Sequence, residues 1–235
     1  MSDTEKDIEQ ILENIQNGAI GNYPILPPVE PNDDFILEDS LESIKVPLLP
    51  LRNIVLFPGM VISVSVQRER SRKLIQWAEK NDAFFAVATQ RNGGVENPKI
   101  TDLYNYGVLA RLEGVSEDME GNINVIIRGY HRIIIESLAA STPYMKVNII
   151  HAPEDAVDAK STELKAILGM LKDNIIEKYS VLNKPLPPPY LDRIIQEKNI
   201  VFITNLAIQI VSVPVKKKQE LLTMNSIKER AYQAG

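Results

Sequence analysis

Apolar and polar residues alternate along the first half of the chain and recur by threes and fours along the second. "MVISVSVQ" sets Met60, Ile62, Val64 and Val66 against Val61, Ser63 and Ser65, the period of a strand with one buried face. "RERSRKLIQWAEK" changes to helical spacing, with Leu74, Trp77 and Ala78 on one face and Arg68, Arg70, Arg72 and Lys73 elsewhere. "AFFAVATQ" predicts a short apolar strand closed by the turn-rich "RNGGVENP". "NYGVLARLEGV" and "NINVIIRGYHRIIIESL" predict a hairpin joined by "SEDMEGN", with Gly121 in the turn. "YMKVNIIHAP" is a last strand, ended at Pro153. Many short strands with one helix predict a compact, mostly antiparallel β-domain that closes on itself.

After Pro153 the period becomes helical and stays so. Leu164, Ile167, Leu168, Leu171, Ile175, Ile176 and Tyr179 mark a long amphipathic helix. "KPLPPPY" breaks it, and Pro189 suits the first turn of the next helix. "LDRIIQEK", "IVFITNLAIQIV" and "VKKKQELLTM" are further helical segments, and "MNSIKERAYQAG" begins another with Asn225 or Ser226 as N-cap. The predicted class is therefore α+β: an acidic leader over 1–45, a β-rich domain over 46–153 and a helical subdomain over 154–235.

Charge divides the chain in the same place. Residues 1–45 hold eleven acids against Lys6 and Lys45 alone, so the leader carries −9 within a chain whose total is −5. With four prolines in "NYPILPPVEPNDD" and few core-forming residues, the leader is predicted to be mostly disordered, with a short helix near Ile8–Ile15. The remainder is too weakly basic to indicate nucleic acid on charge alone. With no cysteine in the chain, a disulfide framework and thiolate metal sites are excluded. No basic-then-apolar leader opens the sequence, and the longest uncharged run, Asn199–Val215, is punctuated by polar residues and Pro214, so a buried helix is expected there rather than a membrane span.

Catalytic motifs do not emerge. The sequence has no G-x-x-x-x-G-K-[ST] phosphate loop, no G-x-S-x-G elbow and no H-E-x-x-H. His131 and His151 fall at strand positions without carboxylates at metal-ligand spacing and read as ordinary strand histidines. Glu117, Asp118 and Glu120 cluster in a turn, where solvated acids are the norm. The Arg68, Arg70, Arg72, Lys73 group reads as a solvated helix face, since no aromatic platform is interleaved with it. The expectation is a chain without catalysis, cofactor or metal of its own.

The most unusual stretch is "VPLLPLRNIVLFPGM", Val46–Met60, with three prolines in a nearly all-apolar run. Pro47 and Pro50 predict a pre-extended edge strand, Leu49, Leu51, Val55 and Phe57 predict burial, and Pro58-Gly59 predicts a turn into the Met60 strand. Direct substrate contact by Phe57, Pro58 and Met60 is the alternative reading. The stretch resembles the start of the amino-terminal domain of the Lon family of ATP-dependent proteases, whose P-x-L-P-L-R-[DN]-x-V-x-F-P-x-M signature matches Pro47, Leu49, Pro50, Leu51, Arg52, Asn53, Val55, Phe57, Pro58 and Met60. "DLYNYGVLARL", "GNINVIIRGYHRIIIESL" and "LLTMNSIKERAYQ" are similar to later blocks of that family, so the likeness runs from Val46 to Gln233. Asn105-Tyr106 and Arg128 depart from the family's usual residues, and the departures bear on surface contacts there.

The resemblance implies a PUA-like β-domain followed by a small helical bundle that recognises unfolded, damaged or degron-bearing proteins. It implies that the chain is a fragment of a cytoplasmic, hexameric ATP-dependent serine endopeptidase, whose ATP and magnesium belong to a motor outside this sequence. A stand-alone adaptor carrying only this domain and a PUA-like RNA-binding module are the rival readings.

Overall fold

The protein is described from a computed structural model covering residues 43–117, 121–158, 160–181 and 188–235. The predicted leader disorder and the helix near Ile8–Ile15 lie outside these residues, as does most of "KPLPPPY". The chain forms two compact units, one running up to Ala152 and one spanning Pro153–Gly235.

The first unit holds six strands and a helix: β1 (Ile44–Leu51), β2 (Val61–Val66), α1 (Glu69–Asn81), β3 (Phe85–Thr89), β4 (Tyr106–Glu117), β5 (Ile123–Ala140) and β6 (Lys146–His151). A 3-10 turn, Ile100–Asp102, lies between β3 and β4. The sheet order is β2-β5-β4-β3-β1-β6, and a further β5–β6 pairing closes it into a ring. All pairings are antiparallel except β1 with β3.

Closure depends on the length of β5. Its first part pairs with β2 through Ile123↔Val66 to Arg128↔Val61, and its last part pairs with β6 through Ile133↔His151 to Ala140↔Lys146. β4 runs along its other edge, with register shifts between Leu109 and Ala110 and between Leu112 and Gly114. Such shifts bend and twist a strand, as a small closed sheet requires.

One inner cluster joins Val46 and Leu48 of β1, Ala86 and Ala88 of β3, Leu109 of β4, Ile133 and Ile135 of β5, and Val147 and Ile149 of β6. Every residue of β3 is buried, Phe85–Ala88 as apolar side chains and Thr89 with its hydroxyl donating to the Ile54 carbonyl at 2.6 Å. α1 buries Ser71, Leu74, Ile75 and Ala78 and ends at Asp82, whose left-handed backbone (φ 46°) closes the last turn.

β1 corrects the expected edge strand. It lies between β6, paired over Ile44–Pro47, and β3, paired over Leu48–Leu51. The missing proline donors still fall outside both ladders. The Leu48 N–H bonds the Met145 carbonyl on the β6 side, and the Leu51 carbonyl accepts from the Gln90 N–H on the β3 side. Alternation along the strand then points the Pro50 nitrogen to the β6 side, beyond the end of that pairing, and the Pro47 nitrogen to the β3 side, before that pairing begins.

The second unit contains α2 (Thr162–Val181), α3 (Pro188–Gln196), α4 (Ile200–Ile210), α5 (Val215–Thr223) and α6 (Ile227–Ala234). α4 is its centre: Ile200, Ile203, Thr204, Asn205, Leu206, Ala207 and Ile208 are all buried, as the uncharged run predicts. Asn199 caps it, its Oδ1 accepting from the Val201 and Phe202 amides at 2.9 and 3.1 Å. α2 buries Ile167, Leu171, Ile175 and Tyr179, a stripe at four-residue steps. Of the two predicted caps for α6, Ser226 does the capping, accepting from the Glu229 amide at 3.3 Å.

Among the described residues no helix is long and apolar enough to cross a membrane.

Candidate functional site

Between β1 and β2 the chain leaves the sheet and returns. Asn53 takes a left-handed backbone (φ 56°), and Val55, Leu56 and Phe57 then plunge into the core at 2%, 2% and 0% exposure. Pro58-Gly59 makes the predicted turn, with Gly59 at φ 79° and the Met60 amide donating to the Phe57 carbonyl at 3.1 Å. Proline followed by a left-handed glycine is the pattern of a type II turn. The turn seats on β5: the Gly59 N–H bonds the Gly129 carbonyl, and the Gly129 N–H bonds the Met60 carbonyl, each at 2.9 Å. A side chain on Gly129 would put its Cβ 2.7 Å from the Phe57 carbonyl oxygen, so the backbones meet this closely only because that residue is glycine.

This geometry sorts the three candidate contact residues. Phe57 and Met60 have 0% exposure and belong to the core, so direct contact by these two side chains is corrected: in this fold neither presents a surface to a docked chain. Pro58 is half-buried at the turn. The burial of Leu49, Leu51, Val55 and Phe57 follows the reading from the residues alone.

Beside the signature lies a groove of about 390 Å³ lined by Leu48, Pro50, Arg52, Arg68, Arg70 and Tyr144, among others. A second space of about 260 Å³ separates the end of β1 from β2, bounded by Pro50 and Arg52 on one side and Ser63, Val64 and Ser65 on the other. Arg68 anchors this region. Its Nη2 donates to the Gln90 Oε1 at 2.5 Å and the Val95 carbonyl at 3.3 Å, while the buried Gln90 donates to the Val95 carbonyl at 2.9 Å. Burial, then the neighbouring Arg52 charge, lower the Arg68 pKa, and Glu96 acts against both.

The basic group on α1 is split by the structure. Arg72 donates to the Gly121 carbonyl at 3.0 Å, and Lys73 pairs with Glu69 at 2.7 Å, whereas Arg52 and Arg70 are exposed. Arg128 is 6% exposed, and its Nε lies 2.6 Å from Glu113 Oε1, so this departure from the family pattern is an ion pair sheltered within the sheet. Burial, with Glu113 beside it, raises the Tyr130 pKa. The rings of His131 and His151 lie 6.1 Å apart, and no cluster suited to a metal occurs among the described residues.

The helical unit carries apolar surface of a different kind. Met170, Val181, Ile195 and Tyr232 are 41%, 72%, 54% and 53% exposed. Val181 rims a groove of about 360 Å³ that Ile175, Ala207, Ile210 and Val211 also line. Met170, Val181 and Tyr232 lie outside the buried stripes of their helices, so periodicity gives them no place.

The family model for the ATP-dependent protease La (LON) substrate-binding domain matches residues 45–234. The chain is 31% identical over 212 residues to the Lon protease of Porphyromonas gingivalis and 33% identical over 211 residues to that of Flavobacterium johnsoniae. Each alignment covers 89% of this chain, but only 25% and 26% of those relatives, so the chain spans about a quarter of their length. The fold is similar to the N-terminal domain of the Mycobacterium avium complex Lon protease, at TM-score 0.64 and 19% identity, covering 81% of this chain and 96% of that one.

Proposed function

Because the chain belongs to the Lon family of ATP-dependent proteases, matching its substrate-binding domain, we propose that it captures unfolded, damaged or degron-bearing proteins for a longer Lon-type serine protease. The observation that carries this reading is the match over 45–234, which takes in the strands and the helices alike. Exposed apolar residues on α2, α3 and α6 support it, since extended clients expose the apolar side chains that such surfaces bind.

The chain's own part is binding. ATP and magnesium are assigned to the motor of the longer protein, together with the peptidase chemistry, hexameric assembly and a cytoplasmic setting. Individual contacts with an extended chain are weak, so affinity is expected near micromolar or weaker, a binding free energy of roughly −8 kcal/mol or closer to zero. Display of several copies on a hexamer would raise the effective strength without new contacts.

Titrating the chain with a permanently unfolded client and with the same client in its native form tests the reading. Preference for the unfolded form with little loss at high salt is expected. Equal binding to both forms, or binding abolished by moderate salt, overturns it. A salt-dependent complex with RNA in place of client binding would favour the nucleic-acid module.

A further inference from the structure

Among the described residues β2 ends the sheet order and pairs only with β5. The bond from the Gly129 N–H to the Met60 carbonyl, with the register Ile62↔Ile127 and Val64↔Val125, places the ladder-bonded residues of β2 at even numbers. The backbone N–H and C=O groups of Val61, Ser63 and Ser65 therefore face away from β5. Unpaired edges in native sheets are usually blunted by proline, by charge or by a cover. VISVSV has neither proline nor charge.

This edge opens on the 260 Å³ space whose far wall is Leu49, Pro50, Arg52 and Ile54. Pro50 turns its donorless nitrogen toward that side, so only the β2 wall offers a continuous template. The lining of the space is cationic. Arg52 and Arg68 line it, and Arg70 lines the adjoining groove. Of the two acids in that groove, Glu69 is paired with Lys73, leaving Glu96.

We propose that the outer edge of β2 takes an extended, acidic segment of an unfolded client as an added strand. The segment's backbone bonds Ser63 and Ser65, which line the space, and its carboxylates face Arg52 and Arg70. This rests on the client-binding reading above and adds to the apolar helical surface a second place, on the β-unit, where a client is held. An edge reads the backbone of an extended chain, which a folded protein does not offer. The arginines then select acidic sequences by charge complementarity.

Amide hydrogen exchange on the full chain, with and without an acidic extended peptide, tests the assignment. Protection of the Ser63 and Ser65 amides should rise about tenfold at saturation, while the same peptide N-methylated at alternate amides binds about tenfold more weakly. Ser63→Pro removes a donor from the outer edge alone and should weaken binding by a similar factor, with an unchanged circular dichroism spectrum. If that variant misfolds, the methylated peptide on the native chain carries the same test. Arg52→Glu should weaken the acidic peptide about threefold and leave a neutral one unchanged.

Equal affinity for the methylated peptide overturns the proposal. So does protection of both serine amides before any peptide is added, because the chain's own acidic leader would then hold the edge. Client binding that leaves Ser63 and Ser65 unprotected refutes this site but not client capture. Failure to bind any unfolded client removes both.

Discussion

Both units shelter a charge, Arg128 beside Glu113 in the β-unit and Arg230 in the helical one, but they differ in what lies at their centres. The β-unit closes with backbone ladders between residues far apart in sequence, around a cluster that is wholly apolar. The helical unit places a charge at its centre. Arg230 of α6 has 0% exposure; its Nη2 lies 2.6 Å from Glu154 and 2.5 Å from the Met224 carbonyl, and its Nη1 is 3.4 Å from Asn205 Oδ1. Through this one guanidinium the first residues of the unit, the centre of α4 and the turn before α6 share a partner. A ring of ladders tolerates the loss of any one polar contact, whereas a buried ion loses its solvation unless all its partners stay in place.

The largest expected effect breaks the comparison from the β side. Phe57→Ala should cost about 4 kcal/mol, because a fully buried ring leaves a cavity that the Gly129 contact cannot collapse into. Trp77 is the chain's only tryptophan and lies in the β-unit, so its fluorescence should report a lower urea midpoint. A shift below about 1 kcal/mol would show that Phe57 is not a core residue.

Next, Arg230→Ala should cost about 3 kcal/mol by emptying a fully buried site and taking the donor from the Met224 carbonyl. The helical signal at 222 nm should then fall at lower urea while the Trp77 transition stays in place. Coincident movement of both transitions would end the contrast between the units.

A smaller effect concerns Lys218, whose ammonium donates to the Gln209 carbonyl at 2.7 Å and whose pKa burial lowers to about 8. Between about pH 8 and its ordinary 10.5 the unfolded chain binds more protons at this site than the folded one, so stability should rise with pH across that window. Lys218→Met should flatten the rise and, allowing for the water that still reaches the amine, stabilise the protein at pH 7 by about 1 kcal/mol. Thermal melts of both proteins from pH 7 to 10 decide it, and parallel curves would refute the burial cost.

The smallest effect is expected at the exposed Arg111–Asp82 pair. Asp82→Asn keeps a side chain that tolerates the left-handed backbone and removes only a screened charge, for a loss below about 0.5 kcal/mol by chemical denaturation. A loss several times larger would mean that the pair fixes the end of α1 rather than decorating it.

Local features were legible in the sequence because their causes are local. Alternation in "MVISVSVQ", helical spacing in "RERSRKLIQWAEK", the Pro58-Gly59 turn and the Ser226 cap all follow from residues within a few positions. The parallel β1–β3 pairing was not legible, since no short-range pattern distinguishes a strand with a neighbour on each side from one at an edge. The Arg230 anchor left a signal that charge alone obscures: it shares a helical face with the buried Ile227 and Ala231. The candidate site was the least legible part. Its open edge is defined by which strands pair, so Ser63 and Ser65 look like ordinary outward residues until the sheet order is known.

The arrangement of β6 has a mechanical consequence. Ile44–Pro47 hold it on one side and Ile133–Ala140 on the other, and it runs straight to the end of the unit at Ala152. Traction on the chain at Pro153 therefore loads both ladders lengthwise, where many hydrogen bonds share the force, instead of peeling them apart one pair at a time. The β-unit is thereby protected against unravelling from its C-terminal end, because its own last strand resists the pull in shear.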